Sequence, residues 1–145
     1  MTRLRKETHD KLSIEPLLAG AKLELVLSGT CDSFAVEALG VYLSQVTLEV
    51  RRLSLSQVAI DVSRVVLLTS SSLKQLITFL RPIKLGELPC SVEFVVDDGK
   101  PWQRRCLAAL VRMCPNGASL RDINAAGASH LSQALPRAAS ELPPA

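Results

Sequence analysis

The sequence predicts one α/β domain, built on a mixed, mainly parallel β-sheet of four to five strands with amphipathic helices. A length of 145 residues suits a single domain with a sizeable core. Short apolar runs typical of strands alternate with segments of helical periodicity, which is the pattern of β-α-β units in a parallel sheet. Only a short turn separates the first two strand-like runs, so we expect them to pair antiparallel. The predicted order is β-β-α-β-α-β-α, followed by an optional last strand.

The first predicted elements are a polar tail and a β-hairpin. Residues 1–11 are rich in charge and are expected to form a flexible N-terminal tail, so that the domain spans residues 12–122. Residues 12–15 alternate like a short strand, and Pro16 suits an edge strand because proline donates no backbone hydrogen bond. After a turn at Gly20, residues 22–27 alternate again, with leucines on one face.

A helix and a buried strand are predicted next. Residues 34–53 repeat their apolar side chains at helical spacing, which indicates an amphipathic helix. Asp32 and Ser33 precede this helix and are candidates for its N-cap. Residues 58–62 form an apolar run without alternation, as expected for a strand that is covered on both faces.

The second predicted helix follows a cluster of hydroxyl residues. Residues 65–68 are apolar and end in Thr69-Ser70-Ser71-Ser72, where the chain is expected to turn into a helix. Pro82 and Gly86 are expected to end it. Its inward face is predicted to carry Leu73, Leu76, Ile77 and Leu80. Its outward face is predicted to carry Lys74, Gln75, Thr78 and Arg81.

The last predicted elements are a strand at residues 92–96, a helix that begins near Pro101, and a short strand within residues 118–122. The buried stripe of this helix is predicted to contain Trp102, Cys106, Ala109, Leu110 and Met113. Its exposed side is predicted to contain Lys100, Gln103, Arg104 and Arg112. Residues 123–145 are rich in alanine, serine and proline and are expected to form a flexible C-terminal tail.

Composition argues against several classes of function. Aromatic residues make up 3% of the chain, too few for a platform on which nucleic-acid bases stack, so no nucleic-acid partner is expected at a net charge of +3. No apolar run approaches the roughly 20 residues of a membrane span, so no membrane insertion is expected. The charged N-terminus has no apolar segment behind it, which indicates a cytoplasmic location rather than secretion.

The cysteines and histidines argue against a catalytic or metal site. The four cysteines, Cys31, Cys90, Cys106 and Cys114, show no metal-binding spacing and are expected to be reduced and structural. The two histidines, His9 and His130, lie in the predicted tails. A Ser-His-Asp or Cys-His site and a histidine-ligated metal therefore have no imidazole in the core. We expect no enzyme activity and no cofactor.

The hydroxyl cluster at residues 69–72 has two interpretations. A serine or threonine at the start of a helix often acts as a cap, because its oxygen accepts a hydrogen bond from an unpaired amide. The positive end of the helix dipole also favours a phosphate on a serine at the same place. Residue type alone favours the cap.

A longer pattern around this cluster resembles the signature of STAS domains, the sulfate transporter and anti-sigma-factor antagonist family. In that family an apolar strand ends in Asp-Leu-Ser, a short apolar stretch follows, and Asp-Ser-Ser-Gly-Leu opens a helix. The positions that match this pattern without a gap are Asp61, Ser63, Ser70, Ser71 and Leu73.

Two further segments extend the resemblance over residues 12–122. Gly29-Thr30-Cys31-Asp32 is similar to the Gly-x-Leu-Asp turn of the family, with cysteine in place of leucine. Pro101-Trp102-Gln103-Arg104-Arg105 is similar to the start of the last helix in a bacterial STAS-like subgroup.

The resemblance implies a STAS-like fold and a non-enzymatic, anti-sigma-factor-antagonist-like regulator that switches partners in signal transduction. Such antagonists are phosphorylated on the first serine of Asp-Ser-Ser-Gly by a histidine-kinase-like anti-sigma factor, which acts as a serine kinase, and a PP2C-type phosphatase resets them. The corresponding phosphoacceptor here is Ser70. The candidate partner-binding surface consists of Thr69, Ser71, Ser72, Lys74 and Asp32.

The chain departs from the family pattern at two positions. Thr69 stands where the family has aspartate, and Ser72 stands where it has glycine. The second interpretation is therefore a constitutive STAS-type scaffold or adaptor, which self-assembles, for example as a homodimer, or binds a larger regulator without phosphorylation. The modification state of Ser70 distinguishes the two.

Overall fold

The strands of this protein lie in a single sheet in the order in which they occur in the chain. The computed structural model describes residues 2–124. Its elements are β1 (Glu7–His9), β2 (Leu12–Ala19), β3 (Lys22–Cys31), α1 (Val36–Leu53), β4 (Gln57–Leu68), α2 (Ser70–Lys84), β5 (Ser91–Val96), α3 (Pro101–Met113) and β6 (Ala118–Asp122). The sheet order is β1-β2-β3-β4-β5-β6, antiparallel from β1 to β3 and parallel from β3 to β6. The predicted mixed α/β fold is therefore confirmed, with one strand more than expected.

Each of the three helices connects two neighbouring parallel strands, and the three connections step across the sheet in the same direction. Because such crossovers are right-handed, α1, α2 and α3 lie on one face of the sheet. The strands meet this face with fully buried apolar residues in register, such as Leu25 beside Ile60 and Ile60 beside Phe94. The opposite face is more polar and includes an ion pair of 3.0 Å between Arg121 and Glu93.

The N-terminal residues are part of the domain, contrary to the predicted flexible tail over residues 1–11. β1 pairs antiparallel with β2, and Leu4 is buried in the core. The Tyr42 hydroxyl of α1 donates a hydrogen bond of 2.9 Å to the Arg5 carbonyl. A three-residue strand carries too little alternation to be recognised, yet it covers the outer edge of β2.

One of the two histidines therefore lies in the sheet and not in a tail. His9 is the last residue of β1, and its Nε2 lies 2.6 Å from Glu7 Oε1. His130 lies outside the described residues, as does most of the predicted C-terminal tail, residues 125–145. Within residues 2–124, no helix is long and apolar enough to cross a membrane.

Glu49 of α1 fixes the first residues of the chain. Its carboxylate is buried and accepts hydrogen bonds from Thr2 Oγ1 at 2.8 Å and from the Arg3 amide at 2.7 Å. Arg52, one turn further along α1, donates from Nε at 2.7 Å and from Nη2 at 3.0 Å. The hydrogen bonds from Arg52, and then those from Arg3 and Thr2, lower the pKa of Glu49 to about 2, although burial opposes this shift.

β3 and β4 are longer than the sequence predicted. β3 continues to Cys31, and β4 is one strand of 12 residues where two separate apolar runs were expected. Gly29 lies inside β3 at φ +95°, and a side chain there would collide with the Lys11 carbonyl, which accepts a hydrogen bond of 3.0 Å from the Thr30 amide. Glycine here allows the two backbones to approach and does not form a turn.

The buried face of α3 also differs from the prediction. Its buried residues are Gln103, Leu107 and Leu110, whereas Ala109 and Met113 are exposed. Gln103 was expected on the exposed side because glutamine is polar, but it is fully buried. The hydrogen bonds that compensate for this burial link α3 to β4 and are described below.

We predict that Glu49→Gln destabilises the protein at neutral pH and that the difference from the parent disappears in acid. A carboxylate with a lowered pKa contributes stability above its unfolded value of 4.5, and this contribution is lost as the pH falls through about 2. Hydrogen bonds to a charged group contribute about 1.5–3 kcal/mol, so we expect a loss in that range at pH 7. Urea unfolding of both proteins at several pH values measures the difference. The matched control is Glu87→Gln, since Glu87 is exposed. A difference that does not vary with pH would contradict this assignment.

Candidate functional site

The second half of β4 extends beyond the end of β5, which is its neighbour on one side. β5 pairs with β4 only as far as Asp61 and Val95, whereas β3 stays beside β4 to the pair Cys31 and Leu68. The register between β3 and β4 shifts twice, and each time β4 has one residue more than β3. Such bulges bend a strand and leave backbone groups outside the regular ladder.

Side chains at the start of α3 replace the missing strand. Gln103 Nε2 donates hydrogen bonds to the carbonyls of Val62 at 2.8 Å and Val65 at 3.0 Å. Gln103 Oε1 accepts a bond of 2.8 Å from the Asp97 amide at the end of β5. Lys100 Nζ donates to the Ser63 carbonyl at 2.8 Å. The extension of β4 is therefore held by hydrogen bonds from the start of α3 to three of its carbonyls, those of Val62, Ser63 and Val65.

Asp61 and Ser63, the first two matches to the family pattern, stabilise the same bulge. Asp61 Oδ1 accepts hydrogen bonds from the Ser63 amide at 2.9 Å and the Ser63 hydroxyl at 2.6 Å. Both residues are buried. Their role in this chain is local: they fix the backbone where β4 leaves the regular ladder.

Thr69 caps α2, and Ser72 completes the cap. Thr69 is extended, and its Oγ1 accepts a hydrogen bond of 3.2 Å from the Ser72 amide. The Ser72 hydroxyl donates to the Thr69 carbonyl at 2.6 Å and accepts from Thr69 Oγ1 at 3.3 Å. The cap interpretation of the hydroxyl cluster therefore applies to these two residues.

Ser72 is fully buried, so it does not contribute to an exposed partner-binding surface as predicted. Its hydroxyl donates to the Thr69 carbonyl and also forms a hydrogen bond with the Cys31 thiol. Burial raises the pKa of Cys31, the nearby charge of Asp32 adds to this shift, and the hydrogen bond with Ser72 opposes it. The thiol is therefore a protonated, buried neighbour of the cap.

The other candidate residues lie at the end of the sheet where β3 and β4 finish. Ser70, Ser71 and Lys74 are exposed on the first turns of α2, and Thr69 is half-buried. Asp32 follows Cys31, which pairs with Leu68, so the loop after β3 emerges beside the start of α2. Asp32 does not cap α1 with its side chain: Oδ1 accepts a hydrogen bond of 3.0 Å from the Phe34 amide, and α1 begins at Val36.

Ser70 and Ser71 differ from their neighbours in their hydrogen bonding. Within residues 2–124, neither hydroxyl has a hydrogen-bond partner, whereas those of Thr69 and Ser72 are engaged in the cap. The side chain of Lys74, one turn after Ser70, forms no ion pair with the described part of the chain. The site therefore presents two unengaged hydroxyls and one unengaged cation.

The sequence did not predict the exposure of three apolar residues at this end of the sheet. Phe34 is 82% exposed, Val66 is 67% exposed and Leu67 is 46% exposed. Val66 and Leu67 belong to the apolar run of residues 65–68, and they are exposed because β5 is too short to pair beside them. The relative lengths of two strands are a tertiary property, and no local pattern indicates them. We call Phe34, Val66, Leu67, Ser70, Ser71 and Lys74 the β4–α2 surface.

The described residues show no metal site. Among residues 2–124 no group of three or more histidine, cysteine, aspartate or glutamate side chains could hold a metal ion. Cys31, Cys90, Cys106 and Cys114 are all unpaired thiols. The β4–α2 surface itself contains hydroxyls, a cation and apolar side chains.

Comparison with solved structures identifies the fold. An anti-sigma factor antagonist from Mycobacterium paratuberculosis matches with a TM-score of 0.61 and 21% identity, over 83% of this chain and 94% of that chain. The anti-sigma factor antagonist SpoIIAA in its unphosphorylated form matches with a TM-score of 0.57 and 14% identity, over 84% and 99%.

A third similar structure contains a regulator bound to an enzyme. A chain in the complex of the diguanylate cyclase SiaD with its activator SiaC, from Pseudomonas aeruginosa, matches with a TM-score of 0.56 and 18% identity, over 80% of this chain and 95% of that chain. No protein-family model and no curated protein sequence matches. These likenesses confirm the STAS-like fold, which the sequence pattern predicted.

We predict that Gln103→Met destabilises the protein by at least about 2 kcal/mol. The substitution keeps the side-chain volume but leaves two buried carbonyls and one amide without partners, each at a cost of about 1–3 kcal/mol. Urea unfolding measures the change. Gln45→Met is the matched control, because Gln45 is exposed on α1 and forms no side-chain hydrogen bond with the described residues. Equal stability of the Gln103 and Gln45 variants would show that the carboxamide is dispensable.

We also predict that Thr69→Ala lowers the free energy of unfolding by about 1 kcal/mol, the usual contribution of an N-cap. Thr69→Asp should keep the parental stability, since aspartate caps helices equally well and introduces the residue of the family pattern. Thermal unfolding of the three proteins provides the comparison. If the alanine and aspartate variants lose the same stability, the cap is not the role of Thr69.

Proposed function

We propose that this protein is a non-enzymatic regulatory module of the cytoplasm that binds protein partners through the β4–α2 surface and is switched by phosphorylation of Ser70. Its proposed partners are a histidine-kinase-like anti-sigma factor, which phosphorylates Ser70, and a PP2C-type phosphatase, which removes the phosphate. The observation that carries this proposal is the exposed, unengaged Ser70 hydroxyl at the start of a helix whose neighbouring hydroxyls are occupied by the cap.

The local electrostatics support a phosphate at this position. The first amides of a helix have no partner within it, and the dipole makes this end positive. The cap engages the amide of Ser72, and the Thr69 carbonyl engages that of Leu73, so the amides of Ser70 and Ser71 remain for an anion. Lys74 lies four residues after Ser70, on the same side of the helix. Thr69 adds no negative charge next to the phosphate, as the aspartate of the family pattern would.

The same surface also supports the switching step. A phosphate adds a charge of about −1.5 to −2. The apolar side chains of Phe34, Val66 and Leu67 are suited to direct packing against a partner. A partner packed there must desolvate the phosphate or neutralise it, and either requirement weakens a complex formed with the unmodified protein.

A second candidate function is a constitutive adaptor that binds through the same apolar residues without modification. The exposure of Phe34 and Val66 favours it, because apolar contacts need no phosphate. The presence of a chain of this fold in the complex of SiaD with its activator SiaC is in keeping with either function.

Substitutions at Ser70 distinguish the two functions. We expect Ser70→Glu to keep the thermal midpoint of the parent, because the helix N-terminus tolerates the charge, and to weaken the kinase-like partner at least about tenfold, which is about 1.4 kcal/mol. Ser70→Ala should keep full binding. Binding is measured by calorimetry with the purified partner, and Ser119→Glu, on an exposed position of β6, controls for the added charge.

Two further measurements complete the test. Mass spectrometry of the protein purified from its own cells should find a phosphate on Ser70, and incubation with ATP alone should produce neither ATP hydrolysis nor phosphoprotein. Equal affinity of the parent, Ser70→Glu and Ser70→Ala for the partner would reject the switch and favour the adaptor. Turnover of ATP by the chain alone would contradict the non-enzymatic assignment.

A further inference from the structure

A groove between the second halves of α2 and α3 lies away from the β4–α2 surface. It has a volume of about 370 Å³ and is lined by Ile77, Thr78, Leu80, Arg81, Lys84, Leu85, Met113 and Cys114. α2 packs more extensively against α1 than against α3, so α2 and α3 leave this space between them. Ser70 and Arg81 are eleven residues apart on α2, which at 1.5 Å per residue is about 16 Å.

The floor of the groove is apolar and partly open to solvent. Leu80 and Cys114 are buried, while Met113 is 41% exposed and Leu85 is 58% exposed. Methionine is unbranched and polarisable, so it adapts to apolar side chains of different shapes. An exposed methionine and leucine beside buried leucine and cysteine form a surface onto which a partner can extend the core.

The rim of the groove is positive. Arg81 and Lys84 are exposed, and neither forms an ion pair within residues 2–124. They are three residues apart and therefore lie on neighbouring positions of the helix surface. Neither α2 nor α3 contains an aspartate or glutamate, so nothing on these two helices neutralises the rim.

We propose that this groove binds an acidic amphipathic helix of a partner protein, with apolar side chains on the floor and carboxylates toward Arg81 and Lys84. A helix suits a groove between two helices, and acidic residues three or four apart on one face match the spacing of the two cations. This site is separate from the proposed switch at Ser70.

Two other occupants match the groove less well. A second copy bound through the same groove would bring Arg81 and Lys84 near their own equivalents, because a two-fold interface joins identical surfaces. A fatty acid offers one carboxylate to two cations.

The test uses the full chain and a fluorescein-labelled peptide of about 16 residues, long enough to form a helix, with leucines on one face and glutamates flanking them. We expect saturable binding by fluorescence anisotropy that weakens with added salt. Arg81→Glu with Lys84→Glu should weaken it at least about tenfold, and Met113→Gln about threefold. The same peptide with glutamine in place of glutamate should also bind at least about tenfold more weakly.

The control variant is Arg105→Glu with Arg112→Glu, which changes the charge equally on a different part of α3. It and Ser70→Glu should bind the peptide within about twofold of the parent. Equal binding by the Arg81 and Lys84 variant, or an absence of saturable binding to the parent, would overturn the proposal. Loss of binding in the control variant would show that the peptide binds at the surface of Arg105 and Arg112, and would also overturn the proposal. Stronger binding of a dansylated fatty acid than of the peptide, or dimerisation that the Arg81 and Lys84 variant abolishes, would replace the peptide by that occupant.

Discussion

The carboxamide of Gln103 connects the parts of this fold that would otherwise be independent. β4 leaves the regular ladder through two bulges, and beyond Asp61 it has a neighbouring strand on one side only. Gln103 donates to two carbonyls of that extension and accepts from the amide that ends β5. Because β4 leads directly into Thr69 and α2, the position of the Ser70 hydroxyl depends on a side chain of the last helix.

Polar side chains of α1 hold the N-terminal residues against the domain in a similar way. Glu49 is buried on α1, and its carboxylate accepts hydrogen bonds from the first residues of the chain and from Arg52. The Tyr42 hydroxyl holds the same segment by its hydrogen bond to the Arg5 carbonyl. In both places, polar side chains on a helix hold irregular backbone against the core, and this backbone would otherwise be left to solvent.

Periodicity was sufficient to predict the order of the strands and helices, because each long element buries one face and therefore repeats apolar residues at a fixed spacing. It failed where burial depends on distant partners. Gln103 looks like a surface residue until the carbonyls of β4 are considered, and Ser72 looks exposed until its bond to the Thr69 carbonyl is seen. β1 is too short to show any period. At the candidate site, the family pattern indicated Ser70, but the exposure of Phe34, Val66 and Leu67 follows from strand lengths that the sequence does not express.

The extension of β4 has a consequence for the behaviour of the protein at high concentration. A strand with one open side and exposed apolar residues is normally a template to which another chain adds its own strand, and this is a route to aggregation. Here the carbonyls of Val62, Ser63 and Val65 are already occupied by side chains, and the bulges bend the edge out of register. Val66 and Leu67 are thus available for side-chain contacts, while the backbone beside them is a poor template for strand addition. The protein can therefore expose apolar side chains for binding without exposing a strand edge that promotes aggregation.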